Sequence, residues 1–207
     1  MERERFYFPG LLYTSVLEVP LQGIRKTVRD LVHRGDLFPL LDLCCGPGTQ
    51  AGLLRQPDPK KAVGVDINIR LLRYAASRSL GVPFVCADAA RLPFRPGAFK
   101  GIVISFALHE KEPGFRPRLM AEAKSLLSPD GRIILVDFER PWNRISRLAY
   151  LYVSAVERLA GRGHFLNGRD FFKRGGLRGL LRENGLREMG RRDIAAGTCA
   201  VVLAAPE

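Results

Sequence analysis

Residues 37–52 read LFPLLDLCCGPGTQAG. The apolar run from Leu37 to Leu43 has the length and make-up of a buried strand. It ends in Cys44 and Cys45, then in Gly46-Pro47-Gly48, and Thr49 to Arg55 resumes as a short helix. A buried strand that enters a glycine-rich turn and leaves as a helix is how an open α/β sheet makes a nucleotide pocket. Glycine lets backbone and ligand approach closely, and a helix N-terminus presents N–H groups that lack helical partners. This stretch alone does not choose the ligand.

Working outward, residues 6–13 (FYFPGLLY) are aromatic and broken by Pro9-Gly10. Leu21, Ile24, Val28, Leu31 and Val32 then recur at helical spacing up to Gly35, a usual helix stop. Beyond the glycine turn, strands are expected at 61–65, 83–87, 99–106 and 132–138, with helices at 69–80 and 115–127 between them. Ser128-Pro129-Asp130-Gly131 is a turn by its own chemistry. This alternation predicts an α/β fold: a doubly wound parallel sheet with right-handed crossovers and helices on both faces. The pattern then changes. Residues 141–160 are helical, with Ile145, Leu148, Ala149, Tyr152, Val156 and Leu159 on one face, and Gly161, Gly163 and Gly168 interrupt them. A helix at 169–184 ends at Gly185, and the short linker Ala195-Ala196-Gly197 joins runs 186–194 and 198–204 as an antiparallel pair. The expectation is one domain over 1–207, with a helical cover at 1–36 and a helical insertion or lid at 141–168.

The chain has 207 residues, enough for a full core, and a formal charge of +12. From Arg140 to Arg192 there are 13 Arg or Lys against 4 Asp or Glu. Such a surface attracts nucleic acid, anionic headgroups or an acidic substrate, or is simply a solvated face. The charged first residues lack a signal peptide's apolar core, and no apolar run approaches the roughly 20 residues of a spanning helix. The four cysteines have no zinc spacing, so no metal is expected. They read as buried thiols in a reducing cytoplasm.

Three acids bear on the ligand. Asp66 closes the second strand 20 residues after Gly46, the usual offset for a carboxylate that takes ribose hydroxyls. The spacing G-x-G-x-x-x-G of Gly46, Gly48 and Gly52 leaves a nicotinamide cofactor open. Asp42, inside the first strand, favours a cationic ligand and sits poorly beside a pyrophosphate. Asp88, ending the third strand, can accept the exocyclic amine of adenine. S-adenosyl-L-methionine fits: it has an adenine, a free ribose and a positive end.

With LLDLCCGPGTQ, VGVDIN, CADAARLPF and LLSPDGRIILVDF in this order, the chain resembles the class I S-adenosylmethionine-dependent methyltransferases over nearly its whole length. That resemblance implies a seven-stranded sheet in the order 3-2-1-4-5-7-6 with strand seven antiparallel. It also implies that Asp42 and the loop Cys45, Gly46, Pro47 and Gly48 hold the methionine moiety. Asp66 would take the ribose hydroxyls and Ile67 would pack on the adenine. Asp88, with Ala89 beside it, would accept the adenine amine, and Ser105 and Phe106 would face cofactor and substrate. Within the family, residues 38–140 are similar to the ubiquinone/menaquinone-biosynthesis type, with small-molecule methyltransferases in general nearly as similar. In that group the places of the N-terminal aromatic stretch, including Tyr13, and of the late insertion build the substrate cover.

Methyl transfer from a sulfonium is an in-line displacement in which the protein positions the nucleophile and removes its proton. His109, just beyond the fourth strand, is the candidate proton acceptor. A histidine that orients a loop or binds a carboxylate is the equal alternative. His164 and Asp137 are expected at the substrate mouth. No Asn- or Asp-Pro-Pro-aromatic motif follows the fourth strand, so nucleic acid is disfavoured as acceptor. The expected partner is a small, quinone-like molecule, and the protein is a monomer or homodimer. Residues 141–160 act as a lid or dimer contact or, as a second reading, as a peripheral membrane contact. An RNA-modifying enzyme, a nicotinamide oxidoreductase and a non-catalytic S-adenosylmethionine binder are the competing readings.

Overall fold

The computed structural model describes residues 7–55, 61–78, 80–139, 144, 146, 162–194 and 197–207, without the side chains of 7–20 and 162. The strands are β1 (Leu40–Leu43), β2 (Ala62–Asp66), β3 (Phe84–Cys86), β4 (Phe99–Ser105), β5 (Leu127–Phe138), β6 (Leu186–Ile194) and β7 (Cys199–Pro206). The helices are α1 (Tyr7–Arg34), α2 (Thr49–Leu54), α3 (Ile69–Ser77), α4 (Phe115–Leu126), α5 (Arg162–Lys173) and α6 (Gly176–Glu183). The strands form one sheet in the order β3-β2-β1-β4-β5-β7-β6. β7 runs antiparallel to both β5 and β6, and β1 to β5 pair in parallel.

Side-chain alternation along the strands divides the core in two. Leu41, Leu43, Ile102, Ile104, Ile133 and Leu135 pack with α4, α5 and α6 through Leu119, Phe171 and Leu177. Leu40, Val103, Ile134 and Val136 pack with α1 and α2 through Ile24, Val28, Val32 and Leu54. Both faces of the central strands are therefore covered, which is why they read as unbroken apolar runs.

Four local expectations are corrected. Pro9-Gly10 does not break the N-terminal stretch. Both lie in the first turn of α1, where a missing N–H deprives the helix of nothing. The expected helix at 169–184 is two helices, parted where Gly175 (φ 101°) and Gly176 (φ 62°) turn the chain left-handed, and Gly163 and Gly168 lie inside α5. Residues 128–131 belong to β5 as an irregularity: Phe99 pairs with Leu127, and pairing resumes with Gly101 opposite Arg132. Cys45 and Cys199 are buried and Cys44 is partly so, but Cys86 is exposed; all four are free thiols. Most of the expected 141–168 insertion lies outside the described residues. Among the described residues no helix is long and apolar enough to cross a membrane.

Candidate active site

β1 and β4 are neighbours from which the chain winds outward in opposite directions, and a ligand crevice opens at the carboxyl ends of such strands. Both strands leave the sheet through left-handed backbone. Cys44 has φ 62°, Gly46 φ 54° and Gly48 φ 73°, and Phe106 has φ 53°. For the non-glycine residues this costs about 1–2 kcal/mol each, and such strain collects where a site needs it. It is held by the Cys45 N–H donating to Val65 O at 2.9 Å and by the Phe106 N–H donating to Val136 O at 2.7 Å.

The acids meet around this turn. Asp66 accepts the Gly46 N–H on Oδ2 and the Asn68 N–H on Oδ1, both at 2.8 Å. It thus pins the loop with two of the roughly four lone-pair positions a carboxylate offers. Asp42 is buried on the α1 and α2 face, and its Oδ2 has no hydrogen-bond partner among the described residues. Burial, then the nearby Asp66 carboxylate, pushes its carboxyl up to about 7, against a bond from the Ala51 N–H and the more distant Arg25. Asp88 is exposed at the end of β3 and uses Oδ1 to accept the Ala90 N–H at 2.9 Å. Ile67 is 68% exposed and Ala89 is buried.

At the end of β4, Ser105 Oγ is a second buried polar atom without a partner among the described residues. His109 follows, 4% exposed, with Nδ1 2.6 Å from Asp137 Oδ1. Asp137 is fully buried. Its Oδ2 accepts the N–H groups of Leu108 at 2.9 Å and His109 at 3.2 Å, and its Oδ1 accepts the Phe138 N–H at 2.7 Å. Asp137, expected at the substrate mouth, is thus placed beneath the His109 loop and supports it. A carboxylate on Nδ1 selects the tautomer with the proton there, so acid–base chemistry falls to Nε2.

His164, half-buried on α5, lies over His109 with ring centroids 6.0 Å apart and pairs through Nε2 with Glu110 Oε2 at 2.9 Å. Lys111 Nζ reaches Glu110 Oε1 at 2.6 Å. Burial alone would raise the Glu110 carboxyl, but the His164 bond and the Lys111 ammonium outweigh it and hold it at about 2. The Phe138 ring meets His109 at 4.8 Å, Phe106 at 5.8 Å and Phe172 at 6.3 Å. Tyr13 lies in α1 and its side chain is outside those described.

S-adenosylmethionine fits this donor set. The cationic methionine end matches the buried, unpartnered Asp42 Oδ2, and its ammonium or hydroxyl donors match Ser105 Oγ. A Cβ built on Gly46 meets nothing within 4 Å, so open space faces the loop there, whereas one on Gly48 would run into Ala75 and Phe84. Ile67 offers a bare apolar face for a base. Sequence reasoning missed Phe138, Phe172 and Arg116. Arg116 had a signal, being a charged residue on the apolar stripe of α4 with Leu119, Met120, Ala123 and Leu126.

Comparison with known proteins agrees. Residues 40–131 match the family model described as a methyltransferase domain. The chain is 29% identical over 173 residues to the demethylmenaquinone methyltransferase of Beutenbergia cavernae, covering 78% of this chain and 71% of that protein. It is 36% identical over 106 residues to the 2-phytyl-1,4-naphtoquinone methyltransferase of Thermosynechococcus vestitus, covering 49% of this chain and 46% of that protein, so it spans under half of that relative. The magnesium protoporphyrin IX methyltransferase of Synechocystis, solved with bound S-adenosylhomocysteine, shares the fold with a TM-score of 0.64 at 18% identity, over 92% of this chain and 85% of that one. Residues 40–131 are thus similar to methyltransferase domains, and the chain as a whole has the fold of the solved magnesium protoporphyrin IX methyltransferase.

Proposed function

We propose that the protein moves the methyl group of S-adenosylmethionine to a small, flat aromatic acceptor of the hydroquinone type and releases S-adenosylhomocysteine. The observation that carries this reading is the ring wall of Phe106, Phe138, Phe172 and His109 at the ends of β4 and β5 and on α5, built around an imidazole backed by a buried carboxylate. A cluster of aromatic rings favours a planar apolar acceptor, and two relatives carry quinone-type names. Asp42, Gly46 and Gly48 hold the methionine end, Asp66 the ribose, and Ile67, Asp88 and Ala89 the adenine. The bound cofactor supplies an activated methyl on a sulfonium. His109 Nε2 takes the acceptor's hydroxyl proton, and Asp137 stabilises the imidazolium that forms. His164 and Tyr13 border the acceptor, under a cover formed by 1–36 and 141–168. A cytoplasmic location, with peripheral membrane contact through 141–160, would bring a lipid-soluble acceptor to this mouth.

The test is incubation with S-adenosylmethionine and a reduced 2-alkyl-1,4-naphthoquinone, following S-adenosylhomocysteine and the methylated ring by mass spectrometry. The expected outcome is product that disappears in His109→Ala while the affinity for S-adenosylhomocysteine stays within about threefold, since His109 serves the chemical step. Tight S-adenosylhomocysteine binding with no turnover on any phenolic or hydroquinone acceptor would sink the reading in favour of a non-catalytic binder.

A further inference from the structure

Arg116 is 4% exposed. Burying a guanidinium costs several kcal/mol unless its geometry offsets the lost hydration, so its contacts carry information. Nε donates to the Leu108 carbonyl at 3.0 Å. Nη1 donates to Asp170 Oδ2 at 2.7 Å and Nη2 to the Asn167 carbonyl at 2.6 Å, both on α5. Its charged carbon stands 5.2 Å over the Phe171 ring. Asn167 Nδ2 in turn donates to the Glu110 carbonyl at 2.8 Å.

The peptide groups around His109 are therefore held from three elements. Asp137 of β5 takes the N–H groups of residues 108 and 109, Arg116 of α4 binds carbonyl 108, and Asn167 of α5 binds carbonyl 110. Arg116 joins this loop to α5 through one planar fork, and α5 also carries His164 beside the His109 ring. Lysine has the charge but not the fork, so it cannot bind the loop carbonyl and both α5 oxygens in one plane.

We propose that Arg116 is a positioning residue: it locks the loop bearing His109 to α5 and thereby sets the imidazole on Asp137 in one tautomer. The proposal rests on the reading of His109 as proton acceptor. Arg116 touches neither cofactor nor acceptor and acts through the loop.

The chain has three histidines, so long-range proton–nitrogen NMR of the imidazoles resolves His109 once His33→Gln and His164→Gln assign the others. In the wild type His109 is expected in a single tautomer protonated on Nδ1. In Arg116→Lys its nitrogen shifts should move toward a mixture of tautomers while those of His33 stay in place. With the reduced naphthoquinone as acceptor, kcat should fall by about tenfold to 100-fold, and S-adenosylhomocysteine affinity should stay within about twofold. If Arg116→Lys does not fold, Asn167→Ala removes one of the loop bonds and should give the same displacement at smaller size. His109 signals identical to the wild type in the folded variant would overturn the proposal, as would cofactor affinity falling in step with the His109 signal. The NMR arm needs no acceptor: a displaced His109 in a protein that never turns over refutes the methyl-transfer reading and supports the positioning role.

Discussion

Two glycines of one turn separate binding from folding. A Cβ at Gly46 meets no protein atom within 4 Å and would enter open space beside the turn, where the cofactor is proposed to lie, at φ 54°. A Cβ at Gly48 lies 2.8 Å from both Ala75 Cβ and the Phe84 ring, at φ 73°. Gly46→Ala should thus cost about 1–2 kcal/mol of stability and lower S-adenosylhomocysteine affinity by tenfold or more, about 1.4 kcal/mol. Gly48→Ala should cost roughly 2–4 kcal/mol, because strain and overpacking add. Urea denaturation and calorimetry on both variants check the contrast. Asp42 gives a pH prediction. Burial and Asp66 raise its carboxyl from 3.8 to about 7, so as pH rises the unfolded state loses this proton first. The unfolding free energy should fall from about pH 4 to pH 7, by at most roughly 4 kcal/mol from this group, and level off above. Below pH 4 the two states are protonated alike and the effect vanishes. The stability of Asp42→Asn relative to wild type should therefore climb across that window in urea titrations. A difference flat with pH would remove Asp42 as a buried, destabilised acid. The setting of Asp42, Asp66 and Asp88 was legible in sequence because each follows from its place in or just past a strand. That of Asp137 was not, since it depends on which loop folds over β5.

At the scale of elements, β7 is the strand on which the late part of the fold depends. It pairs with β5 from Ile133↔Ala204 to Phe138↔Cys199 and with β6 from Leu186↔Pro206 to Ile194↔Cys199, and Cys199 to Val202 are buried. A chain ending at Ile194 would leave β5 with an open apolar edge and β6 with no partner, a template for aggregation. That truncation should give no cooperative melt by circular dichroism and should partition to the insoluble fraction; a soluble protein that melts in one transition would contradict it. The alternation of strand and helix was readable because each apolar run has a single period and sharp Gly or Pro boundaries. The split between α5 and α6 was not, because the helix-stopping glycines at 175–176 resemble the tolerated ones at 163 and 168. What distinguishes them is the left-handed backbone of the first pair, which tertiary packing decides.

For the whole molecule, +9 of the net charge of +12 falls between Arg140 and Arg192. Exposed basic residues stand on α3 (Arg73), α5 (Arg169 and Lys173), α6 (Arg178 and Arg182) and β6 (Arg187 and Arg192). Others are tied up internally: Arg191, with its side chain 8% exposed, pairs with Glu139 at 2.7 Å and Glu188 at 2.8 Å. A diffuse positive field attracts any polyanion by counterion release, and this attraction weakens steeply with salt. It does not by itself place a nucleobase beside His109, whose ring packs against Phe138 at 4.8 Å. The protein should therefore bind heparin and single-stranded RNA at low ionic strength. The logarithm of that affinity should fall linearly with the logarithm of salt concentration, alike for all sequences. Saturation with a 20-nucleotide RNA should leave S-adenosylhomocysteine affinity unchanged within about twofold, because a surface-wide electrostatic contact has no differential interaction with the cofactor-bound state. Fluorescence anisotropy for the RNA and calorimetry for the cofactor, each across a salt series, measure the two terms. RNA that became methylated, or that tightened cofactor binding in a sequence-dependent way, would transfer the acceptor role from a small aromatic molecule to nucleic acid.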